Sequence, residues 1–334
     1  MPTLPVLVVH ADWGSNAARR RLVYASRQAD GTFLACAPGP AGNPQTLLRR
    51  LRALAPDGGI LFGVDFPLGL PLRYAAAAGI TDFAALLPEL GSGRWAQFYD
   101  VAGHPDDISI VRPFYPLRPG GTRQAHLIRA LGMTTIDDLR RCCDRTTAAR
   151  RAAAPLFWTL GAQQVGKATI VGWRDMLGAA RRAYARDDAM FPWLWPFEGR
   201  LDDLIAAGRL VVAEVYPAEC YHHLGVTLHG SKRDRATRAA AGAALLAWAE
   251  TAGVALEPTL HRAIAGGFGA APGGDDDFDA TVGLFGALNV VLGRRAAGEP
   301  ADPVIRRVEG WILGQVGANE ESYDFDNWYQ GGDV

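Results

Sequence analysis

The chain has 334 residues, of which 49% are hydrophobic, and its formal net charge is −1 at pH 7. This length allows one large domain or two, and the balanced charge excludes a global basic field that would hold the protein on nucleic acid. Residues 1–13 lack the basic region and the longer apolar run of a signal peptide. The sequence has no apolar run of the ~18 residues that a membrane span needs and no CxxC pair among its four cysteines, so we expect a soluble cytoplasmic protein with reduced thiols.

The first 70 residues predict four strands and one helix. Leucines 47, 48, 51 and 54 have helical spacing, which places a helix between the third and fourth strands. A fifth apolar run follows much later in the chain. Each strand is predicted from a short apolar run bounded by turn residues, and together they cover 4–12, 19–27, 31–38, 59–66 and 209–216. This βββαβ order predicts an α/β fold with a five-stranded mixed sheet, its first and fourth strands parallel and adjacent, flanked by helices.

Residues 71–209 differ in character from the sequence on either side. They combine helical segments with a loop rich in proline, glycine and arginine and with a second, aromatic segment, FPWLWPFEGR, that is predicted to be a loop. Loops of this length in a compact domain are usually functional or disordered. We therefore predict a core made of residues 1–70 and 210–334, with 71–209 as a large, mainly helical insertion between strands four and five.

Three of the predicted strands end in a carboxylate. Asp12, Asp65 and Glu214 each follow an apolar run and precede a turn. An unpaired charge is costly inside a buried strand, whereas the carboxyl ends of strands in an open α/β sheet are where ligands bind. Each acid alone also fits an ordinary turn cap or an arginine partner. Their repetition predicts that the three carboxylates meet at one edge of the sheet.

A fourth acidic group, DDDFDA, opens the last long helical segment. Acids at a helix N-terminus are often explained by capping, but Asp279 lies on the face that should pack inward. Asp279 is the first candidate for a site residue and Asp276 is the second. Like charges raise each other's pKa unless a cation holds them, and Mg²⁺ or Mn²⁺ prefers oxygen ligands. We predict metal ligands at Asp12, Asp65, Glu214, Asp276 and Asp279.

The basic residues are lopsided, with 32 arginines and two lysines. A lysine retained against such a bias is a candidate for chemistry that arginine does not provide, although surface lysines also survive by chance. We expect Lys167 or Lys232 to reach the carboxylates. Lys232 is favoured for catalysis because it follows the strand that ends at Glu214, and Lys167 is a candidate for substrate binding.

Part of the insertion has the composition of a nucleic-acid groove. Between residues 123 and 151 there are seven arginines and three aspartates, and tryptophans lie nearby at 158, 173, 193 and 195. Basic side chains track phosphates and aromatic rings stack on bases, although the same residues also fit a solvated helix face above a small core. The predicted substrate-binding residues here are Arg140, Arg141, Arg150, Arg151 and Trp173.

Taken together, these segments resemble the domain of unknown function 429 family, whose members are predicted nucleases of the RNase H-like superfamily. The resemblance rests on Asp12 after strand one, GVDFPLGLP, EVYPAE, Lys232 before a helix, DDDFDA and EGWILG. It implies an RNase H-like fold and a two-metal carboxylate site. The last two acids, near the start of the final helix, also resemble those of Holliday-junction resolvases.

The sequence thus predicts a metal-dependent nuclease that hydrolyses phosphodiester bonds of DNA or RNA. Two divalent ions held by carboxylates would activate water and steady the leaving oxygen. One alternative is a phosphotransferase or ATPase of the actin and sugar-kinase type, because DWGSN loosely resembles the first phosphate loop of those enzymes. A second alternative is a nucleic-acid-binding protein without catalysis.

Overall fold

The computed structural model describes residues 3–147, 150–161 and 165–316. Its centre is an eight-stranded mixed sheet in the order β6-β7-β5-β1-β2-β3-β8, with the short β4 paired to β2. The strands are β1 (Leu7–Asp12), β2 (Arg21–Arg27), β3 (Phe33–Ala35), β4 (Gly39–Pro40), β5 (Ile60–Val64), β6 (Pro192–Leu194), β7 (Leu210–Glu214) and β8 (Val254–Leu256).

The sheet has an antiparallel part and a parallel part. Strands β1, β2 and β3 form an antiparallel meander, whereas β1, β5, β7 and β6 run parallel to one another. The residues of β5 and β7 are all buried, as expected for parallel strands covered on both faces. Parallel strands bring their carboxyl ends to one edge, and this edge carries the candidate site.

Helices flank the sheet and also make up much of the segment between β5 and β7. The α-helices are α1 (Pro44–Leu54), α2 (Leu72–Ala78), α3 (Phe83–Leu86), α4 (Gln124–Ala130), α5 (Val165–Val171), α6 (Ala179–Ala183), α7 (Leu201–Ala206), α8 (Pro217–His223), α9 (Arg235–Ala252), α10 (Pro258–Ala265), α11 (Gly274–Val291) and α12 (Pro303–Val308). A π-helical turn, Gly172–Gly178, joins α5 to α6. Among the described residues, no helix has the length and apolar character needed to cross a bilayer.

Helix α11 is the central helix of the core. Every residue from Phe278 to Val290 is buried, and the helix packs across β1 and β2 and against α8 and α9. A helix that is apolar around its whole circumference must be buried on all sides. Asp279, near the start of this helix, is therefore held at a fixed position beside the end of β1.

The predicted α/β class and the five predicted strands are confirmed, with shorter bounds at most ends. The sheet is larger than predicted, because β4, β6 and β8 add two or three residues each. Strand β6 lies inside the segment 71–209 and pairs in parallel with β7. That segment therefore contributes an edge strand to the sheet as well as helices, which corrects the expectation that the aromatic segment is only a loop.

Candidate functional site

Asp12 and Asp65 meet at the carboxyl ends of β1 and β5. Ala11 is in register with Val64 in this parallel pair. The next residues along the chain, Asp12 and Asp65, therefore lie side by side. Side chains alternate between the two faces of a sheet, and these two therefore point to the same face. Their carboxyl groups lie within hydrogen-bonding reach of each other, and Asp65 Oδ1 accepts a 2.6 Å hydrogen bond from the backbone N–H of Trp13.

The proximity of these two acids disfavours full ionisation. Burial raises the pKa of Asp65 to about 7, despite the opposing effect of its hydrogen bonds with Asp12 and with Trp13 N–H. Burial also raises the pKa of Asp12 well above its usual range, and the charges of Asp65 and Asp279 add to that shift. Two neighbouring carboxylates without a cation favour sharing a proton. The pair is consequently short of positive charge.

Asp279 lies beside this pair on the first turns of α11. Its Oδ1 accepts a 2.6 Å hydrogen bond from the Tyr221 hydroxyl on α8, and its Oδ2 is bound by Lys232 Nζ. Burial opposes the charged form of Lys232, but the negative charge of Asp279, with smaller contributions from Asp12 and Asp65, raises the pKa of Lys232 above its usual value. The predicted contact of Lys232 with the carboxylates is confirmed, and its catalytic role stays a prediction.

A buried histidine fixes the helix beneath these acids. His10 lies two residues before Asp12 on the same face of β1, with Nδ1 3.1 Å from Ala280 O and Nε2 3.3 Å from Val215 O. Burial lowers the pKa of His10 to about 4, so the ring is neutral at pH 7. A Cβ on Gly283 would lie 2.2 Å from the ring. The glycine therefore lets α11 approach β1 closely, which brings Asp279 to the end of that strand.

Glu214 ends the neighbouring parallel strand but points to the other face. It is in register with Val64 and hence with Ala11, one step before Asp12 and Asp65. Its oxygens accept hydrogen bonds of 2.6 and 2.7 Å from the fully buried Arg141, and Oε2 also accepts 2.8 Å from Leu68 N–H. The prediction that Glu214 reaches the same sheet edge is confirmed. Its carboxylate is engaged by a buried arginine, which corrects its assignment as an open metal ligand.

Arginines also hold the other acids at the start of α11. Arg19 donates to both oxygens of Asp276, at 2.7 and 2.9 Å, and to Asp275 at 3.0 Å. Asp277 pairs with Arg21 on β2. Guanidinium groups therefore supply the positive charge that the sequence pattern attributed to a metal. Asp276 remains beside the site, but both of its oxygens are already in use.

An open pocket of 740 Å³ lies over this edge of the sheet. Its lining includes Asp12, Asp65, Glu214 and Asp276, together with Arg19 and Arg233. The loop after β1, residues 13–16, also lines it, as do parts of the segment between β5 and β7. Asp12, Asp65 and Asp276, which are partly exposed, can thus be reached from solvent through one pocket, whereas Glu214 at its edge is buried.

Most of the predicted groove residues serve structural roles. Arg141 is fully buried and binds Asp144 at 2.8 and 2.9 Å as well as Glu214. Arg150 is buried against Glu219 at 2.9 Å. Trp173 is fully buried, with its indole N–H donating 2.8 Å to Pro67 O. Because these side chains are not available to a ligand, their assignment to substrate binding is wrong.

The remaining predicted binding residues do not form a groove either. Arg140 pairs with Asp137 and donates 2.8 Å to Ala153 O. Arg151 is exposed, and Lys167 on α5 is half-buried. In the part of the chain that the structure describes, Lys167 forms no ion pair and does not contact the acids. The sequence shows that this segment is rich in arginine, but it does not show which arginines pair with acids inside the protein.

The donor set fits one divalent ion better than two. Within residues 3–147, 150–161 and 165–316, no group of three or more histidine, cysteine, aspartate or glutamate side chains is arranged to hold a metal ion. In those same ranges neither Asp12 nor Asp65 forms an ion pair. Mg²⁺ is commonly bound by one or two carboxylates, with waters and substrate phosphates completing its shell. The charge-deficient pair Asp12 and Asp65 fits that pattern, whereas Glu214 and Asp279 already have cationic partners.

Sequence reasoning missed Tyr221 and Arg233. Tyr221 lies in α8 and reaches Asp279 only because α8 packs against α11. This is a tertiary contact that the local sequence does not indicate. Arg233 directly follows Lys232, and this adjacency was the only available signal.

Searches of protein-family models, curated proteins and solved structures gave no match to this chain. The resemblance to the domain of unknown function 429 family therefore stays a prediction.

Proposed function

We propose that this chain is a metal-dependent hydrolase of phosphodiester bonds, with an RNase H-like core. The single observation that carries the proposal is the contact between Asp12 and Asp65 on the floor of an open pocket, with Asp279 and Lys232 beside them. Such a pair, short of positive charge and accessible to solvent, is a suitable place for Mg²⁺ or Mn²⁺ and a phosphate.

Each residue has a role that follows from its surroundings. Asp12 and Asp65 would hold the ion, which when bound lowers the pKa of a coordinated water. Trp13 N–H orients Asp65, and Tyr221 orients Asp279. Lys232 is held by Asp279 near the pair, where its ammonium can bind a non-bridging phosphate oxygen and stabilise charge that develops there. Asp279 acts mainly by positioning Lys232.

The predicted mechanism used two metal ions and four carboxylates. We now favour one ion, because Glu214 and Asp276 are committed to arginines and Asp279 is bound by Lys232. In this version the lysine supplies the positive charge that a second ion would bring. The phosphodiester bond found in DNA and RNA remains the proposed target of the chemistry. The order of β1, β2, β3, β5 and β7 supports the RNase H-like core that the resemblance implies.

The test is hydrolysis of labelled DNA, labelled RNA and bis(4-nitrophenyl) phosphate with Mn²⁺, with Mg²⁺ and with EDTA. We expect activity only with a metal, and Asp65→Asn should reduce it by about 100-fold or more, the scale of removing one key electrostatic group. Asp277→Asn is the matched control, because Asp277 lies two residues before Asp279 on α11 but pairs with Arg21. Activity that persists in Asp65→Asn would refute the proposal.

A phosphotransferase or ATPase is the second candidate. The observation in its favour is that Gly14, Ser15 and Asn16, directly after β1, line the same pocket as Asp12. Arg20 holds this loop by donating to Gly14 O at 2.7 Å and Ser15 O at 3.1 Å. Release of phosphate from ATP, without hydrolysis of any diester, would favour this candidate over the first.

A further inference from the structure

We propose that the pocket takes a small phosphoester, of nucleotide to dinucleotide size, and that Arg233 binds one of its phosphates. This inference rests on the proposed phosphodiester chemistry and narrows its substrate class from a polymer to a short molecule. Three observations carry it: the size and walls of the pocket, the commitment of the neighbouring arginines, and the position of Arg233.

The pocket has the dimensions of a small-molecule site. Its 740 Å³ falls within the range of roughly 300–1,000 Å³ that is typical for such sites. Besides the acids, its lining includes small apolar residues from the segment between β5 and β7, namely Ala153, Ala154, Val165 and Ala168. These residues add apolar surface beside the acids, in a pocket whose volume suits a ligand of nucleotide to dinucleotide size.

The surroundings lack the features of a polymer track. Single-stranded nucleic acid is held by a basic groove with exposed aromatic rings. Arg140, Arg141 and Arg150 are instead held by internal partners. Among the described residues, the large hydrophobic side chains that are exposed are Leu54, Leu117 and Val316, and none is aromatic. Of the four arginines that were predicted to bind a strand, only Arg151 is exposed, so a long strand leaving the pocket would find few of the predicted contacts.

Arg233 is the available cation of the pocket. The other arginine in the lining, Arg19, is bound by Asp275 and Asp276, whereas Arg233 is exposed and has no ion pair with any residue that the structure describes. Its backbone is nevertheless fixed. The buried Arg238 donates to Lys232 O at 2.7 Å and to Arg233 O at 2.8 Å. A guanidinium on a fixed loop, next to the lysine that binds Asp279, suits a phosphate that bridges the two cations.

The experiment compares ligands of equal chemistry and different length. Binding of the dinucleotide pTpT and of the 20-mer dT20 is measured by calorimetry in Ca²⁺, and their cleavage is measured in Mn²⁺. We expect pTpT to bind at least as tightly as dT20, after correction for the 20-mer's many overlapping sites. Arg233→Ala should weaken pTpT binding about tenfold, a typical loss for one charge-assisted contact, and Arg233→Lys should restore part of it. Arg262→Ala, an exposed arginine on α10, should have no effect.

The outcomes separate this inference from the proposed function. Binding of dT20 tenfold tighter than pTpT, or unchanged affinity in Arg233→Ala, overturns the inference and leaves phosphodiester hydrolysis intact. Binding of pTpT that depends on Arg233 without cleavage of either ligand supports the small-ligand pocket and overturns the hydrolase. Failure of pTpT to bind at all overturns the inference as well.

Discussion

At the scale of single residues, the chemistry of the site depends on two carboxyl groups that are held together without a cation. For Asp65 the pKa in the folded protein is about 7, against about 3.9 in an unfolded chain. An acid whose pKa is raised on folding binds more protons in the native state between those two values. The stability of the native state therefore falls as pH rises through that window, and the loss is complete above the folded pKa.

Asp65→Asn should raise the melting temperature of the metal-free protein at pH 8. The variant removes a charge that the native state disfavours, while the amide oxygen can still accept from Trp13 N–H. Between pH 6.5 and pH 8 the wild type should lose about 1 kcal/mol through Asp65, or a few degrees for a protein of this size. The difference in melting temperature between variant and wild type should be smaller at pH 6.5. Thermal melting of both proteins in EDTA at the two pH values measures this difference.

The comparison with the variant removes the opposing titration of buried histidines. Burial lowers the pKa of His10 and of His223 to about 4, so these groups make the native state more stable as pH rises from about 4 through 6.5. Above pH 6.5 each histidine still adds about 0.4 kcal/mol, but this contribution is the same in wild type and variant and cancels in the difference between their melting temperatures. A lower melting temperature for Asp65→Asn at pH 8 would mean that its charge is stabilised by a partner, and the metal-site interpretation of Asp65 would then fail.

At the scale of elements, a buried charge cluster joins the segment between β5 and β7 to the sheet edge. Arg141 binds Asp144 and Glu214, and it also donates 2.7 Å to Leu68 O in the loop after β5. Glu309, just after α12, accepts 2.7 Å from Cys142 N–H and 3.0 Å from Leu72 N–H. These bonds fix the loop that carries Asp65 against two other parts of the chain.

Arg141→Met should destabilise the protein by about 3–5 kcal/mol, because it leaves buried carboxylates without their partner. Glu214→Gln alone should cost less, and the double variant should be more stable than the sum of the two losses predicts. Urea unfolding of the three variants measures these energies. Glu214→Gln should also keep the full stabilisation by Mn²⁺. Loss of that response would restore Glu214 as a metal ligand.

This cluster also shows where sequence reasoning ends. The apolar runs before Asp12, Asp65 and Glu214 correctly placed three carboxylates at one edge, because strand length and turn residues are local properties. The face of each side chain depends on the register between strands, and one residue of difference reverses it. Glu214 is in register with Val64, one residue before Asp65. Its side chain therefore points to the opposite face of the sheet, where it binds Arg141. Composition alone likewise cannot separate a buried Arg141 from an exposed Arg151.

At the scale of the whole molecule, the sheet was easier to predict than the insertion. Strands β1, β2, β5 and β7 have strong local patterns, whereas β4, β6 and β8 have two or three residues each and exist because a neighbouring strand offers an edge. Between β5 and β7 the chain forms short helices and turns whose packing is set by tertiary contacts, such as that of Trp173 with Phe83, at 4.8 Å between ring centroids. Local periodicity carries little information about such contacts.

The whole chain should bind one divalent ion, and the ion should stabilise the fold. A ligand that binds only the native state at 100 times its Kd adds about 2.7 kcal/mol, which corresponds to a rise of roughly 5–10 °C in melting temperature. Calorimetry with Mn²⁺ should give a stoichiometry near one per chain, and Asp65→Asn should abolish both signals. Two ions per chain would instead support the four-carboxylate arrangement, since a second ion requires Asp279 or Glu214 to leave its cationic partner.

Lys232→Met tests whether the lysine occupies the place of a second ion, because this variant frees Asp279 from the ammonium. If the lysine takes the place of a second ion, this variant should bind additional Mn²⁺, whereas a stoichiometry that stays at one would show that Lys232 does not block a second site.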